Sequence, residues 1–239
     1  MRSGTPAVTF KLDDLALMSR AKNYFAWQAR LVKPWLGQRV LEAGCGNGNF
    51  TAHLLDRELV VALDLDPDCI AKIRERYADA RNLRTMVADA SRFPAQELAT
   101  FRLDSCVCLN VLEHIADDRA ALAGFASVIS KGGNIVLIVP AFPALYGPID
   151  RNLQHQRRHT KASMRKLARA CGLQVRKLHY VNFVGFFGWW INARILRRET
   201  QSAAQIAVFD KLIVPILSRL ESVVSPPVGQ SLLVVLTKK

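Results

Sequence analysis

The sequence has few cysteines, and none of them form the C-x-x-C pair that is typical of zinc sites and redox motifs. Cys106 and Cys108 point to one face of a predicted strand, but no His or Cys pair accompanies them. We therefore expect buried free thiols in a reducing compartment and no bound metal. Residues 1–11 lack the apolar core of a secretory signal, so we expect a cytoplasmic protein.

Long apolar runs are also missing. Residues 181–196 form the most apolar stretch, and its continuous core is shorter than the about 20 residues that a bilayer-spanning helix needs. Three interpretations stay open for this stretch. It forms the core of a cap, the wall of a pocket for an apolar substrate, or a face that lies on an anionic membrane at the inner surface of the cell.

Acidic residues are absent from residues 151–198, whereas twelve Lys and Arg lie there. This segment supplies almost all of the net charge of +13. It predicts a solvated basic face, or attraction to an anionic substrate, an anionic membrane or nucleic acid.

Short runs rich in valine and leucine alternate with helical patterns. Strands are predicted at residues 39–43, 59–63, 83–88, 105–109, 134–139, 173–180 and 232–236, and helices at 13–32, 49–55, 67–78, 117–130 and 161–171. Strands of this kind are buried on both faces and are joined by right-handed crossovers. The pattern predicts an α/β fold with a doubly wound, Rossmann-like sheet of seven mostly parallel strands and helices on both faces.

The predicted organisation has four parts. An N-terminal helical segment at residues 1–37 covers the ligand site, and the Rossmann-like core spans 38–180 with a lid loop at 140–160. A C-terminal apolar helical insertion or cap follows at 181–228, and the final strand of the sheet lies at 229–239.

A glycine turn follows the first predicted strand, with Gly44, Gly46 and Gly48 at alternate positions. Glycine has no Cβ, so such a turn can be tight and can approach an adenosine-bearing cofactor closely. Asp64 ends the next strand, where a carboxylate can accept both hydrogen bonds of a ribose diol.

The spacing and charge of this region distinguish between cofactors. A dinucleotide-binding turn would read G-x-G-x-x-G, but here Asn49 takes the place of the last glycine. The carboxylates that lie at strand ends are Glu42, Asp64, Asp89 and Glu113. They favour a cationic sulfonium cofactor over a pyrophosphate, which prefers an open helix N-terminus.

Four segments in order resemble the motifs of the class I S-adenosylmethionine-dependent methyltransferases. They are residues 40–48, residues 62–66, residues 87–90 followed by Phe93 and Pro94, and residues 109–115. The resemblance implies binding of S-adenosylmethionine, released as S-adenosylhomocysteine, by Glu42, Gly44, Cys45, Gly46, Gly48, Asp64, Leu65, Asp89, Ala90, Asn110 and Val111. Asp64 takes the ribose-binding place and Asp89 the place at the adenine amino group. Residues 24–27 and 155–160 also resemble a bacterial subgroup without assigned substrates, sometimes linked to glycosyltransferases.

Methyl transfer from a sulfonium needs little acid–base machinery, because the cofactor is already activated and positioning does most of the work. His114 and His155 are the candidate catalytic bases. Alternatively, His114 only packs beside the cofactor, and His155 is a solvated residue of the loop. The candidate substrate-binding residues are Tyr24, Trp27, Tyr146, Arg157 and Arg158. The two arginines could form a fork on a phosphate or carboxylate, or lie in surface ion pairs, and Trp27 could pack in the helix core instead.

The leading functional hypothesis is an S-adenosylmethionine-dependent methyltransferase for a small or lipid-linked acceptor, anionic or amphiphilic. A methyltransferase that binds RNA or protein through residues 151–198 is the first alternative. A non-catalytic cofactor-binding protein is the second, although intact acidic motifs argue against it.

Overall fold

The computed structural model describes residues 15–90 and 94–239. Residues 13–14 of the predicted first helix, the N-terminal 1–12 and Phe93 lie outside these ranges. Within them, the predicted helix 13–32 is interrupted: residues 15–18 are helical, a turn follows, and helix α1 spans Lys22–Val32. The Ser19 hydroxyl donates to the carbonyl of Ala16 at 2.6 Å, which closes the short first segment.

A seven-stranded sheet runs through the molecule in the order β3-β2-β1-β4-β5-β7-β6. The strands are β1 Arg39–Ala43, β2 Leu59–Asp64, β3 Leu83–Val87, β4 Leu103–Leu109, β5 Ile129–Pro140, β6 Leu173–Val181 and β7 Ser231–Lys238. Strands β1 to β5 pair in parallel, and β7 is antiparallel to both β5 and β6. The predicted doubly wound, mostly parallel sheet is confirmed.

Helices connect these strands and lie on both sides of the sheet. They are α2 Pro67–Arg76, α3 Ala95–Ala99, α4 Asp118–Val128, α5 Pro148–Asn152, α6 Lys161–Ala170, α7 Phe183–Trp190, α8 Ala203–Val208 and α9 Val214–Val223. Single π-helical segments at Ile191–Ile195 and Phe209–Ile213 extend α7 and join α8 to α9. The second segment comes just before Pro215, whose missing N–H makes an ordinary helical hydrogen bond unavailable there.

Two hydrophobic cores occupy the two faces of the sheet. Phe125 and Met164 belong to the core that α4 and α6 form with one face, and Trp27 and Val214 to the core that α1 and α9 form with the other. Side chains of a strand alternate between the faces, so every core strand is buried on both sides. None of the cysteines in the described ranges forms a disulfide, and Cys106 and Cys108 share one core as their spacing predicts.

Two connections differ from the sequence prediction. The helix expected at residues 49–55 is a single 3₁₀ turn, Thr51–His53, closed by a hydrogen bond from the Leu54 amide to the Thr51 carbonyl at 2.9 Å. The segment 140–160, expected as a loop, contains a 3₁₀ turn and α5. Among the described residues, no helix combines the length and the hydrophobicity needed to cross a bilayer.

Candidate functional site

The glycine turn lies at the carboxyl end of β1, where the backbone must take conformations that favour glycine. Gly44, Gly46 and Gly48 have φ values of +79°, +52° and +76°. A Cβ on Gly44 would overlap the Val111 side chain, and one on Gly48 would lie 2.9 Å from the nearest atoms of Ile73 and Tyr77. Val111, Ile73 and Tyr77 therefore pack against one side of the turn. On its other side, Gly44 and Gly46 border a large cavity, whereas Gly48 is not among the residues that line it.

Asp64 ends β2 beside this turn and is almost fully buried. One carboxylate oxygen accepts from the Gly46 amide at 2.8 Å, and the other accepts from the Asp66 amide at 3.0 Å. Each oxygen keeps a lone pair for a further donor, and the residue lines the cavity. Asp66 itself caps α2 by accepting from the Asp68 amide at 2.9 Å.

Glu42 is the most perturbed carboxyl of this edge. It is buried at the end of β1, where it accepts a hydrogen bond from the Thr51 hydroxyl at 2.6 Å. Burial raises its pKa to about 8, against the lowering effect of the Thr51 hydrogen bond, and Asp64 nearby adds to the rise. A cationic group entering the cavity would favour the ionised form of this side chain.

The other residues predicted to bind the cofactor also lie on the cavity wall. They are Cys45, Leu65, Asp89, Ala90, Asn110 and Val111. Burial raises the pKa of the Cys45 thiol far above its usual range, so this thiol is a packing group and not a nucleophile. Asn110 has a φ of +54°, which turns the chain away from β4 and into the segment that follows.

Glu113, His114 and His155 come together on the same wall, and we refer to them as the carboxylate–histidine cluster. Each offers a ligand or proton-accepting atom, and these atoms all lie within 4.8 Å of one another. The rings of His114 and His155 meet edge to face at 4.7 Å. A hydrogen bond from the Gln156 amide to the Glu113 carbonyl at 2.8 Å holds the two segments of the cluster together.

Asp150 is the anchor of the segment 140–160. Its fully buried carboxylate receives hydrogen bonds from His155 Nδ1 at 2.8 Å, Arg158 Nε at 2.8 Å and the Gly147 amide at 2.9 Å. These partners hold its pKa below the usual range despite the desolvation that raises it. The Arg158 guanidinium also stacks 4.7 Å from the centre of the Trp189 ring.

Three predicted substrate-binding residues lie outside the part of the cavity wall that the structure describes. Trp27 is buried in the core under α1, so the core-packing alternative is the correct one. The Tyr146 hydroxyl donates to the carbonyl of His155 at 2.7 Å and fixes the chain there. Arg157 pairs with Asp118 at 2.8 Å, and Arg158 with Asp150, so the predicted fork of two arginines does not form.

Tyr24 does line the cavity, together with Arg158. Its backbone amide donates to Asp210 Oδ1 at 2.8 Å, and this buried aspartate of the second π segment thereby fixes α1 to the C-terminal helices. Neither Asp210 nor the anchoring role of Asp150 was predicted from the sequence. The sequence signal for Asp210 is its position inside a strongly apolar stretch. A carboxylate that is buried there needs hydrogen-bond donors or a cation as partners.

The cavity has a volume of about 1300 Å³. It extends from the glycine turn past the carboxylate–histidine cluster to the apolar residues of α7 and α8, such as Phe187 and Ile206. A pocket for one drug-sized ligand usually holds roughly 300–1,000 Å³. The carboxylates at the β1 and β2 ends and the exposed turn backbone fit an adenosyl sulfonium, with space left for a second molecule.

Comparisons with known proteins agree with this geometry. Residues 40–133 match the family model of a methyltransferase domain. Over 109 residues the chain is 32% identical to an uncharacterized methyltransferase of Mycobacterium bovis, covering 45% of this chain and 53% of the relative. It is 28% identical over 103 residues to a ubiquinone biosynthesis O-methyltransferase of Xanthomonas axonopodis, with 42% of each chain covered.

A solved structure of similar fold is an S-adenosylmethionine-dependent methyltransferase of Mesorhizobium loti, with a TM-score of 0.59 and 16% identity over 88% of this chain and 96% of the other. Residues 40–133 therefore resemble a methyltransferase domain, and the fold of the chain resembles that of a solved methyltransferase. The chain is thus similar to methyltransferases over residues 40–133, and its membership of the class I S-adenosylmethionine-dependent family stays a prediction. It spans about half the length of the curated relatives it matches, and membership of the narrower bacterial subgroup stays a prediction.

Proposed function

We propose that this protein transfers the methyl group of S-adenosylmethionine to a small or lipid-linked acceptor that is amphiphilic. The observation that carries the proposal is the single cavity that joins the carboxylate-lined glycine turn to an apolar helical wall. Asp64 would hold the ribose hydroxyls, Asp89 the adenine amino group, and Glu42 would balance the positive charge of the methionine portion. The sulfonium supplies an activated methyl group, so the chain itself mainly orients and encloses the reactants.

The far part of the cavity supports an apolar acceptor. Its wall includes Val184, Phe187 and Ile191 from α7 and its π extension, and Val208 from α8. Each of these four side chains also keeps at least 36% of its surface exposed. An acceptor with a hydrocarbon portion would cover this surface and gain about 25 cal/mol for each Å² removed from water.

The ubiquinone relative gives a further reason to favour an oxygen acceptor, because its name assigns it O-methyl transfer. Arg158 is the cationic side chain of the basic segment that lines the cavity among the described residues, and Asp150 already pairs with it. An anionic acceptor group would therefore meet a guanidinium whose charge is largely balanced. This favours an amphiphile with a hydroxyl over one with a phosphate inside the cavity.

Cofactor binding is tested by calorimetry with S-adenosylmethionine. We expect micromolar-range binding by the wild-type protein and at least a ~10-fold loss in Asp64→Ala, which removes the ribose-binding carboxylate. Asp68→Ala is the matched control, because Asp68 is an exposed carboxylate in the first turn of α2. Equal affinity of the wild type and Asp64→Ala for S-adenosylmethionine would show that Asp64 does not hold the ribose.

The acceptor class is tested by incubating the protein with methyl-labelled cofactor and a fractionated cell extract. Label in the lipid or small-molecule fraction supports the proposal. Label in RNA or protein would replace it with the alternative in which residues 151–198 bind a macromolecule. Cofactor binding without label in any fraction would favour a non-catalytic binding protein.

A further inference from the structure

The carboxylate–histidine cluster has a property that a methyl-donor pocket does not require. Both carboxylate oxygens of Glu113 are buried, and neither has a hydrogen-bond partner among the described residues. An ionised carboxylate in such a place is expensive unless a cation or several donors satisfy it. The nearby guanidinium of Arg158 is already engaged by Asp150 and by the Ala141 carbonyl, at 2.8 and 3.0 Å.

His155 is oriented as metal-binding histidines are. The Asp150 carboxylate can only accept, so we assign the proton to His155 Nδ1, and Nε2 keeps its lone pair. A histidine ligand almost always donates its other ring N–H to a carboxylate or carbonyl, which fixes its tautomer and its direction. Asp150 is itself held by Arg158 and by the Gly147 amide, so the orientation is rigid.

The donor set also has the composition of a known class of metal site. One carboxylate and two imidazoles, with atoms within 4.8 Å of one another, suit divalent zinc, manganese, iron or cobalt. All three side chains line the cavity, so coordination positions opposite them would face its interior. When Glu113 is ionised, it and the neutral Asp150–Arg158 pair give the surroundings one net negative charge, which attracts a cation.

We propose that Glu113, His114 and His155 bind one divalent transition-metal cation on the cavity wall, with open positions for an oxygen of the acceptor. The role in acceptor binding rests on the proposed function, whereas metal binding itself does not. A bound cation would place a hydroxyl of the acceptor at a fixed point and make its proton easier to lose to solvent. The expectation of no bound metal came from the cysteine spacing, which concerns thiolate ligands. The proposed site has nitrogen and oxygen ligands instead.

The direct test is calorimetric titration of tag-free, chelator-treated protein with MnCl₂ and, separately, ZnCl₂. We expect one cation per chain with a dissociation constant well below about 1 mM. Glu113→Gln and His155→Gln each remove one ligand and should weaken binding at least ~10-fold. His179→Gln on β6 removes a histidine outside the cluster and should bind as wild type does.

Several results would overturn the metal site. Wild-type protein that binds neither cation below about 1 mM is sufficient by itself and does not depend on any variant folding. Unchanged binding in Glu113→Gln would show that the cation sits elsewhere. S-adenosylmethionine titrations on the same samples report the proposed function separately, because Asp64→Ala should lose the cofactor and keep the metal.

Discussion

At the scale of single residues, the site depends on a carboxylate that holds the glycine turn and on a glycine whose missing side chain makes room for a neighbour. Asp64 uses both oxygens to hold the glycine turn and still faces the cavity. Gly44 makes the turn possible because its missing Cβ leaves space for Val111. The positive φ and the crowding around the missing Cβ each add to the cost of replacing such a glycine. A comparison with a second, uncrowded glycine separates the two costs.

Gly44→Ala should destabilise the protein more than Gly132→Ala does. Both glycines have a φ of +79°, which costs a residue with a Cβ roughly 1–2 kcal/mol. A Cβ on Gly132 meets nothing within 4 Å, whereas one on Gly44 overlaps Val111, which adds about 1–3 kcal/mol of overpacking. Urea unfolding measures the free energy of unfolding of both variants. Equal losses in the two would show that the contact with Val111 adds no cost at Gly44.

Glu42 should make cofactor binding depend on pH. Its pKa of about 8 in the free protein keeps it mostly protonated at neutral pH, and a cationic ligand favours the ionised form. Binding therefore releases a proton, and affinity should rise by up to ~10-fold per pH unit as the pH approaches 8. Calorimetry from pH 6 to 9 measures this rise.

Glu42→Gln is the control for that pH dependence, because it keeps the side chain's shape and cannot ionise. The ligand's own amino group titrates equally with both proteins, so the comparison isolates Glu42. The same raised pKa makes the free wild-type fold most stable below pH 4.5, and this contribution is lost as the pH rises from there through about 8. Identical affinity profiles for wild type and variant would show that Glu42 stays neutral when the cofactor binds.

At the scale of elements, buried and half-buried carboxylates join segments of the chain to one another. Asp150 ties the 140–160 segment together, Asp210 holds α1, and Glu221 of α9 accepts from the amides of Asn182 and Phe183 at 3.0 and 2.8 Å. The last contact caps the start of α7, where Asn182 has a φ of +68°. Asp210 therefore joins the C-terminal helices to α1, and Glu221 joins α9 to the start of α7.

Asp150→Asn should destabilise the fold by about 3–5 kcal/mol, because it leaves the buried Arg158 guanidinium without its anion. Asp56→Asn is the control, since Asp56 forms an exposed pair with Lys33 that is worth under about 1 kcal/mol. Chemical unfolding in the presence of a chelator separates the ion pair from any metal effect. A loss below about 1 kcal/mol at Asp150 would show that Arg158 finds another partner.

At the scale of the whole molecule, charge and apolar surface coincide in the C-terminal third. Ile216, Leu220 and Val223 lie along one side of α9 and are exposed by 62%, 63% and 84%. The basic residues Arg194, Arg197 and Arg198 follow α7. Apolar and basic residues of this kind are typical of contact with the headgroup region of an anionic membrane, and this contact stays a prediction.

The protein should co-sediment with liposomes that contain anionic lipid, and added salt should weaken the binding. The double variant Ile216→Glu and Leu220→Glu should stay in the supernatant, because two carboxylates replace the apolar contact. Val87→Glu is the control, since Val87 is 49% exposed on the edge strand β3. Wild-type protein that remains in the supernatant at low salt would exclude the membrane contact.

The sheet and the cofactor edge were predictable from sequence because their signals are local. Gly44 follows β1, Asp64 ends β2 and Asp89 lies two residues after β3, and parallel strands bring their carboxyl ends to one edge. The positions of Arg157 and Trp27 were not predictable because their surroundings come from elsewhere in the chain: Asp118 for the first and the core under α1 for the second. Asp210 meets Tyr24 across 186 positions, which no short window of sequence reveals.

The position of β7 has a consequence for synthesis on the ribosome. Strand β6 is joined to the sheet by β7, which pairs with β5 on its other side. A nascent chain that has emerged only as far as residue 230 has its five parallel strands ready but no docking place for β6. The sheet can therefore be completed only after Ser231–Lys238 has been translated. Until then, the unpaired backbone groups along one edge of β5 can bind chaperones or strands of other molecules.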